Sequence, residues 1–132
     1  MGIAWYGKEV PTTSPELGAK MNVSQTPSAH GRAQTSYNYQ QPLAEQRAST
    51  VGGGRKWDNV SKTPWYSYQD AKRVWLYWQG FYDDAESLRY KYDLVKSLGL
   101  RGVLIWDLNG CTLGAAPGMW AALEKAFGRR GG

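Results

Sequence analysis

Among the residue types able to do acid–base, nucleophilic or metal chemistry, the chain holds 11 carboxylates, one cysteine and one histidine. Cys111 has no second thiol to pair with, so no intrachain disulfide can form. No activating partner is spaced to make it a nucleophile, because the single histidine, His30, lies far upstream in a polar stretch. No pair of Cys or His residues shows metal-ligand spacing, and no cofactor is implied. Asp84-Ala85-Glu86 brings two carboxylates together, but they open a helical pattern, where such groups cap the helix and complement its dipole. What remains is binding chemistry. The apolar run Gly102-Val103-Leu104-Ile105 ends in Trp106-Asp107-Leu108, with Asn109 and Gly110 next. An indole offers a flat apolar face and one N–H donor, and the carboxylate beside it accepts hydrogen bonds. Trp5 and Tyr6 close a second short apolar run, Gly2 to Tyr6.

The elements that must position these groups follow from patterning. Gly102 to Leu108 reads as a fully buried strand of a parallel sheet, a setting in which chemistry gathers at the C-terminal strand ends. Ahead of it, Tyr82 to Leu100 reads as an amphipathic helix. Asp83 and Asp84 supply its N-cap, with Glu86 three after Asp83 as in a capping box. Ala85, Leu88, Tyr92, Val95 and Leu98 line one face, and Gly99 ends it in a left-handed cap. Met119 to Phe127 reads as a closing helix behind Pro117, with Met119, Trp120, Leu123 and Phe127 on one side. Gly2 to Tyr6 reads as a strand. Lys8 to Gly54, with Pro11, Pro15, Pro27, Pro42 and Gly52-Gly53-Gly54, reads as an irregular insertion with helical turns at Pro15 to Met21 and Pro42 to Ser49. Trp57 to Val60, Thr63 to Tyr68 and Arg73 to Trp78 read as antiparallel aromatic strands, with Gln69-Asp70-Ala71-Lys72 as the last turn. Of Trp57, Trp65 and Trp75, most are expected in the core of that small sheet and one exposed.

At this point a resemblance emerges. Phe81-Tyr82-Asp83-Asp84-Ala85-Glu86-Ser87-Leu88, then Lys96-Ser97-Leu98-Gly99-Leu100-Arg101 and the run to Trp106, resembles the last helix and eighth strand of the family 18 glycoside hydrolases, the chitinases, chitobiases and their relatives. Gly2-Ile3-Ala4-Trp5-Tyr6-Gly7 resembles the seventh strand of that barrel. Trp57-Asp58 with Thr63-Pro64-Trp65-Tyr66-Ser67-Tyr68 resembles the insertion between the two. The nearest subgroup is the di-N-acetylchitobiase and spore-lysin-like branch; Val10 to Gly54 carries no match.

The resemblance implies an α/β fold, a partial (β/α)8 TIM barrel of which this is the C-terminal portion, with a small antiparallel insertion. A whole barrel takes roughly 250 residues, and the chain has 132. Residues 1–7 would be the seventh strand, 8–80 the insertion (8–54 irregular, 55–80 the aromatic block), 81–127 the last helix, eighth strand and closing helix, and 128–132 a disordered tail. The implied substrate is a β-1,4-linked N-acetylglucosamine oligosaccharide. In the family the substrate's own N-acetyl oxygen attacks the anomeric carbon, while the Glu of a D-x-x-D-x-D-x-E motif donates the proton. That motif is absent here, so no catalytic residue is assigned and the chain alone is expected to be inert.

The implied substrate-binding residues are Trp106, Tyr6, Trp5, Asp107 and Trp57. Trp106 matches the indole that floors the subsite of the reacting sugar, with filling of the barrel's end layer as the competing reading. Tyr6 matches a cleft tyrosine or, equally, an aromatic plug. Asp107 fits sugar hydroxyls, a salt bridge or a loop cap. Lys8 stands where many relatives have Arg, which puts that substrate contact in doubt.

The formal charge of +5 is spread over isolated residues and pairs such as Arg55-Lys56 and Lys72-Arg73, with no stripe to track phosphates, so nucleic acid is not an expected partner. No stretch is long and apolar enough to span a membrane. Asn22-Val23-Ser24 and Asn59-Val60-Ser61 fit the N-glycosylation pattern and favour a secreted or lysosomal parent, the compartment staying open. Two rival functions stand beside the glycosidase: a non-catalytic carbohydrate-binding remnant, and a structural subunit docking on protein partners. A part-barrel has open strand edges and an apolar flank, so the missing barrel half or a protein partner is expected to cover them.

Overall fold

The computed structural model describes residues 1–22, 39–50, 53–108, 111 and 114–128. Among them the chain runs β1 (Gly2–Ala4), β2 (Tyr6–Thr12), β3 (Tyr39–Gln40), α1 (Gln41–Thr50), β4 (Lys56–Asp58), β5 (Thr63–Gln69), β6 (Tyr77–Phe81), α2 (Ala85–Ser97), β7 (Leu104–Trp106) and α3 (Pro117–Phe127). The expectations for His30, Asn109, Gly110 and the Arg129 to Gly132 tail lie outside the described residues.

Two sheets form. β1 and β7 pair in parallel, with Gly2 opposite Leu104, Ile3 opposite Ile105 and Ala4 opposite Trp106. The larger sheet has the order β3-β2-β6-β5-β4 and all its pairs are antiparallel. One residue, Trp5, separates the strand of the first sheet from the strand of the second. β2 therefore carries the antiparallel sheet as far as Thr12, inside the stretch expected to be irregular, and α1 occupies the place of the helical turns expected at Pro42 to Ser49.

The helices α2 and α3 cover one face of the parallel pair. Ile3, Trp5, Leu88, Tyr92, Cys111, Ala116 and Met119 form this core, with Val103 and Ile105 packed against it. A separate cluster, Ala44, Ala48, Tyr66 and Tyr82, seats α1 on the antiparallel sheet. Trp5 and Trp120 meet edge to face at 5.0 Å, and Tyr92 and Phe127 do so at 5.3 Å, geometries that favour aromatic pairs.

α2 starts three residues later than the periodicity predicts, because Tyr82 is still needed by the α1 cluster and Asp84, rather than Asp83, is the N-cap. The Asp84 carboxylate accepts from the N–H groups of Glu86 and Ser87, and the Ser87 hydroxyl accepts from the Asp84 N–H. The capping box thus closes on Ser87 and leaves Glu86 to pair with Arg55. At the other end Gly99 takes φ 61°, its N–H reaching the Lys96 carbonyl and that of Leu100 the Val95 carbonyl. This left-handed closure is the one its sequence predicts. Leu98, expected on the core face, is exposed instead.

The strand expected over Arg73 to Trp78 begins only at Tyr77. Asp70 is the reason: its carboxylate accepts from the Lys72 and Arg73 N–H groups, the Arg73 guanidinium and the Trp78 indole. A side chain that collects backbone donors competes with strand pairing, so residues 70–76 form a loop. Buried Leu76 anchors this loop, while Val74 and Trp75 point to solvent.

Candidate functional site

The parallel pair has two unlike faces. Alternation sends Ile3, Trp5 and Ile105 into the helical core, and sends Leu104 and Trp106 the other way. Leu104 is 63 % and Trp106 67 % exposed, so the strand expected to be fully buried is covered on one face only. The physical reason is that α2 and α3 supply a single covering layer, and no further strand pairs with β1 or β7 among the described residues.

Trp106 lies at the C-terminal end of β7. Its carbonyl accepts the Trp5 N–H at 2.9 Å, which fixes the backbone while the indole stands free of the core. The Trp106–Asp107 peptide is cis, and Asp107 is exposed beside it. Tyr6 is half-buried at the start of β2. The Lys8 ammonium lies 5.9 Å from the centre of the Tyr6 ring, a cation–π distance.

Two expected site residues are placed elsewhere. Trp5 is fully buried between the parallel pair and Trp120, because the register sets Ala4, rather than Trp5, against Trp106. Trp57 sits at the seam between β4 and α2. Its ring meets that of Tyr90 at 6.0 Å, and the Arg55 guanidinium covers it at 4.9 Å. Trp65 is buried and stacks on Phe81 at 6.4 Å, while Trp75, in the loop before β6, is 52 % exposed.

Several of the carboxylates are engaged in holding the fold. Glu9, fully buried, receives the Arg47 guanidinium at 2.6 and 3.1 Å and the hydroxyls of Tyr66 at 2.6 Å and Tyr68 at 3.0 Å. Burial, and then Glu9 itself, push the Tyr66 phenol far above its ordinary value. Arg55 bridges to Asp84 at 2.8 Å and Glu86 at 2.7 Å, clamping the start of β4 to the start of α2. Asp83 is buried and accepts from Ser87 and Lys91. Asp70 beside Arg73, Asp58 beside Ser61 and Glu16 beside Ser14 are all held below the ordinary carboxylate range by those hydrogen bonds. A proton donor to a leaving oxygen needs the opposite shift. No group of three metal-ligating side chains occurs among the described residues. The Glu9 and Arg55 assemblies were not readable from sequence, since their partners lie 38, 57 and 29 residues apart with no motif linking them.

The arrangement offers an exposed indole with a neighbouring carboxylate at the C-terminal end of a parallel strand, and no assembled acid–base pair among the described residues. Comparison with known proteins gives this arrangement a setting. Residues 1–110 match the sequence family described as glycosyl hydrolases family 18. Over 113 residues the chain is 27 % identical to the di-N-acetylchitobiase of Mus musculus, an alignment covering 83 % of this chain and 30 % of that protein. It is 28 % identical to chitinase B of Serratia marcescens over 149 residues, 96 % of this chain and 27 % of the other. Among solved structures, the spore cortex-lytic enzyme SleL of Bacillus cereus superposes with a TM-score of 0.69 at 20 % identity, over 96 % of this chain and 25 % of its own. The chitinase RmChi1 of Rhizomucor miehei gives 0.68 at 25 % identity, over 95 % and 37 %. The chain thus spans about a third or less of the curated relatives it matches.

Proposed function

Since this chain belongs to glycosyl hydrolases family 18, with a TIM-barrel-like α/β fold, we propose that it forms the C-terminal cleft portion of a glycosidase acting on β-1,4-linked N-acetylglucosamine oligomers. In this reading β1 and β7 are the last two strands of the barrel, and the antiparallel sheet is the insertion between them. Trp106 floors the subsite for the reacting sugar: its indole face packs on the C–H groups of the ring, and its N–H and the Asp107 carboxylate are placed for hydroxyl groups. Tyr6, one residue past Trp5, contributes a phenol. Trp5 and Trp57 take structural roles. The proton donor is supplied from outside this chain, because its sequence holds no D-x-x-D-x-D-x-E motif.

The observation that carries the reading is the 67 % exposure of Trp106 at the C-terminal end of a strand in parallel pairing. Its test is a titration of N,N′-diacetylchitobiose and longer oligomers against tryptophan emission. A saturable change is expected, lost in Trp106→Ala and kept in Trp75→Ala, without release of N-acetylglucosamine by the chain alone. An emission change that survives Trp106→Ala, or no saturable change, overturns the floor assignment. Turnover by the isolated chain overturns the missing-acid assignment. The missing acid equally supports a non-catalytic sugar binder, which is distinguished by absence of hydrolysis even after the rest of a barrel is supplied.

A further inference from the structure

We propose that the far end of the antiparallel sheet carries a second glycan site, one that takes a sugar unit bearing a carboxylate. A groove of about 590 Å³ opens where Gln69 and Tyr77 pair, walled further by Pro15, Gly53, Lys56 and Ser67. That volume lies in the range of small-molecule sites. Thr12 pairs with Tyr77 across the sheet, and Tyr6 begins the same strand as Thr12. At about 3.3 Å per residue, the groove stands roughly 20 Å from the Tyr6 end, next to which Ala4 pairs with Trp106. It is therefore separate from the cleft proposed above.

Lys56 sets what the groove accepts. Its partner in register is Trp65, and the ammonium lies 4.7 Å from the centre of that indole while donating to the Ser67 hydroxyl at 2.7 Å. Ser67 is buried in the sheet, so this hydroxyl is a fixed anchor. An ammonium has three donors, and among the described residues no carboxylate forms an ion pair with this one. Glu16, on the exposed loop beside Pro15, feels the charge of Lys56, but its carboxylate is bonded first by Ser14. The buried Trp65 indole N–H, on the same face of β5 as Ser67, also lacks an acceptor among the described residues. A half-buried cation beside surplus donors favours an arriving anion. One ammonium matches one carboxylate, whereas a phosphate is commonly held by an arginine fork or a helix start, and neither lines this groove. The Tyr77 ring and Pro15 give apolar surface to the C–H groups of a sugar. The Tyr77 hydroxyl and the Gln69 amide, anchored on the Val74 carbonyl, supply polar groups for its hydroxyls. From the reading above this inference takes only that the ligand is a glycan.

The test is a calorimetric titration of the whole chain with N-acetylmuramic acid and D-glucuronate, two sources of a sugar carboxylate. N-acetylglucosamine and lactate, each carrying one half of that chemistry, are the controls. Saturable binding of at least one acidic sugar is expected, about tenfold tighter than either control, and the tighter of the two names the source. Lys56→Gln is expected to weaken it about tenfold and Tyr77→Ala about fivefold, with circular dichroism matching the parent, while Lys56→Arg keeps most of the affinity. Glu16→Gln, on an exposed loop, is expected to tighten it about twofold by removing a competing charge. Either control bound as tightly as the acidic sugars, no saturable binding, or binding insensitive to Lys56→Gln overturns the inference. If Lys56→Gln does not fold, Glu16→Gln and Tyr77→Ala decide, and no change in either overturns it as well. Acidic-sugar binding by a chain with no Trp106-dependent response to N,N′-diacetylchitobiose sustains this site and sinks the cleft reading, and the converse result does the reverse.

Discussion

Gly80 shows how closely the antiparallel sheet is packed. A β-carbon added there would lie 2.1 Å from Cζ of Tyr66 and 2.5 Å from its hydroxyl, inside any allowed contact. Tyr66 cannot yield easily, because its hydroxyl donates to buried Glu9. Gly80→Ala is expected to lower stability by about 2 kcal/mol, the usual range for overpacking, and most of that loss should vanish in a Tyr66→Ala background. Urea unfolding of the four members of this cycle measures the coupling; additive losses would show that the ring is not what the methyl meets. At this scale the sequence was informative about Trp106, whose place at the end of an apolar run is a local property. It did not reveal that Trp5 is buried against Trp120, because that contact joins the two ends of the chain. It was silent on Glu9, whose partners come from α1 and β5.

Among the elements, α2 was the most legible, since caps and periodicity are written within one short segment. Asp84 joins two functions there, accepting two N–H groups at the helix start and the Arg55 guanidinium from the insertion. Asp84→Ala is expected to cost about 1–2 kcal/mol from the lost cap, and to loosen the insertion from the helix as well. Ser87→Ala, which keeps both the cap acceptor and the clamp, should cost less. Chemical denaturation gives the first effect, and faster amide exchange over Lys56–Asp58 in Asp84→Ala alone gives the second. Equal behaviour of the two variants would show that Arg55 contributes no link. The β5–β6 hairpin was legible as a hairpin but not in its boundaries, because Asp70 looks like an ordinary turn residue until its four donors are seen. The α1 helix was legible through Pro42; its docking was not, as it depends on Gly7 giving room to Ala44.

The molecule as a whole is built on two cores, one under the parallel pair and one under α1, and each holds a tyrosine whose ionisation reports on it. Burial first, with nearby acids contributing, raises Tyr82 and Tyr92 to about 12. An unfolded tyrosine titrates near 10. The folded state therefore disfavours the phenolate, so the stability tied to these groups is complete below about pH 10 and lost as the pH rises from there through about 12. Phenolate absorbance followed together with circular dichroism should show part of the nine tyrosines ionising near 10 with structure intact, and a late fraction ionising only as both signals change together. Complete ionisation near 10 in a folded chain would contradict the burial of these phenols. An α/β fold was legible through the motifs that resemble a known family, whose apolar runs and short helix-to-strand link are local. The separation into two cores was not, since nothing local announces that Ala4 and Tyr6 belong to different sheets. That junction has a consequence for the history of the gene. With a lone residue between two pairing registers, there is no slack in which to gain or lose a codon: one deletion would turn every later side chain of β2 to the opposite side. Length changes should be purged at this join.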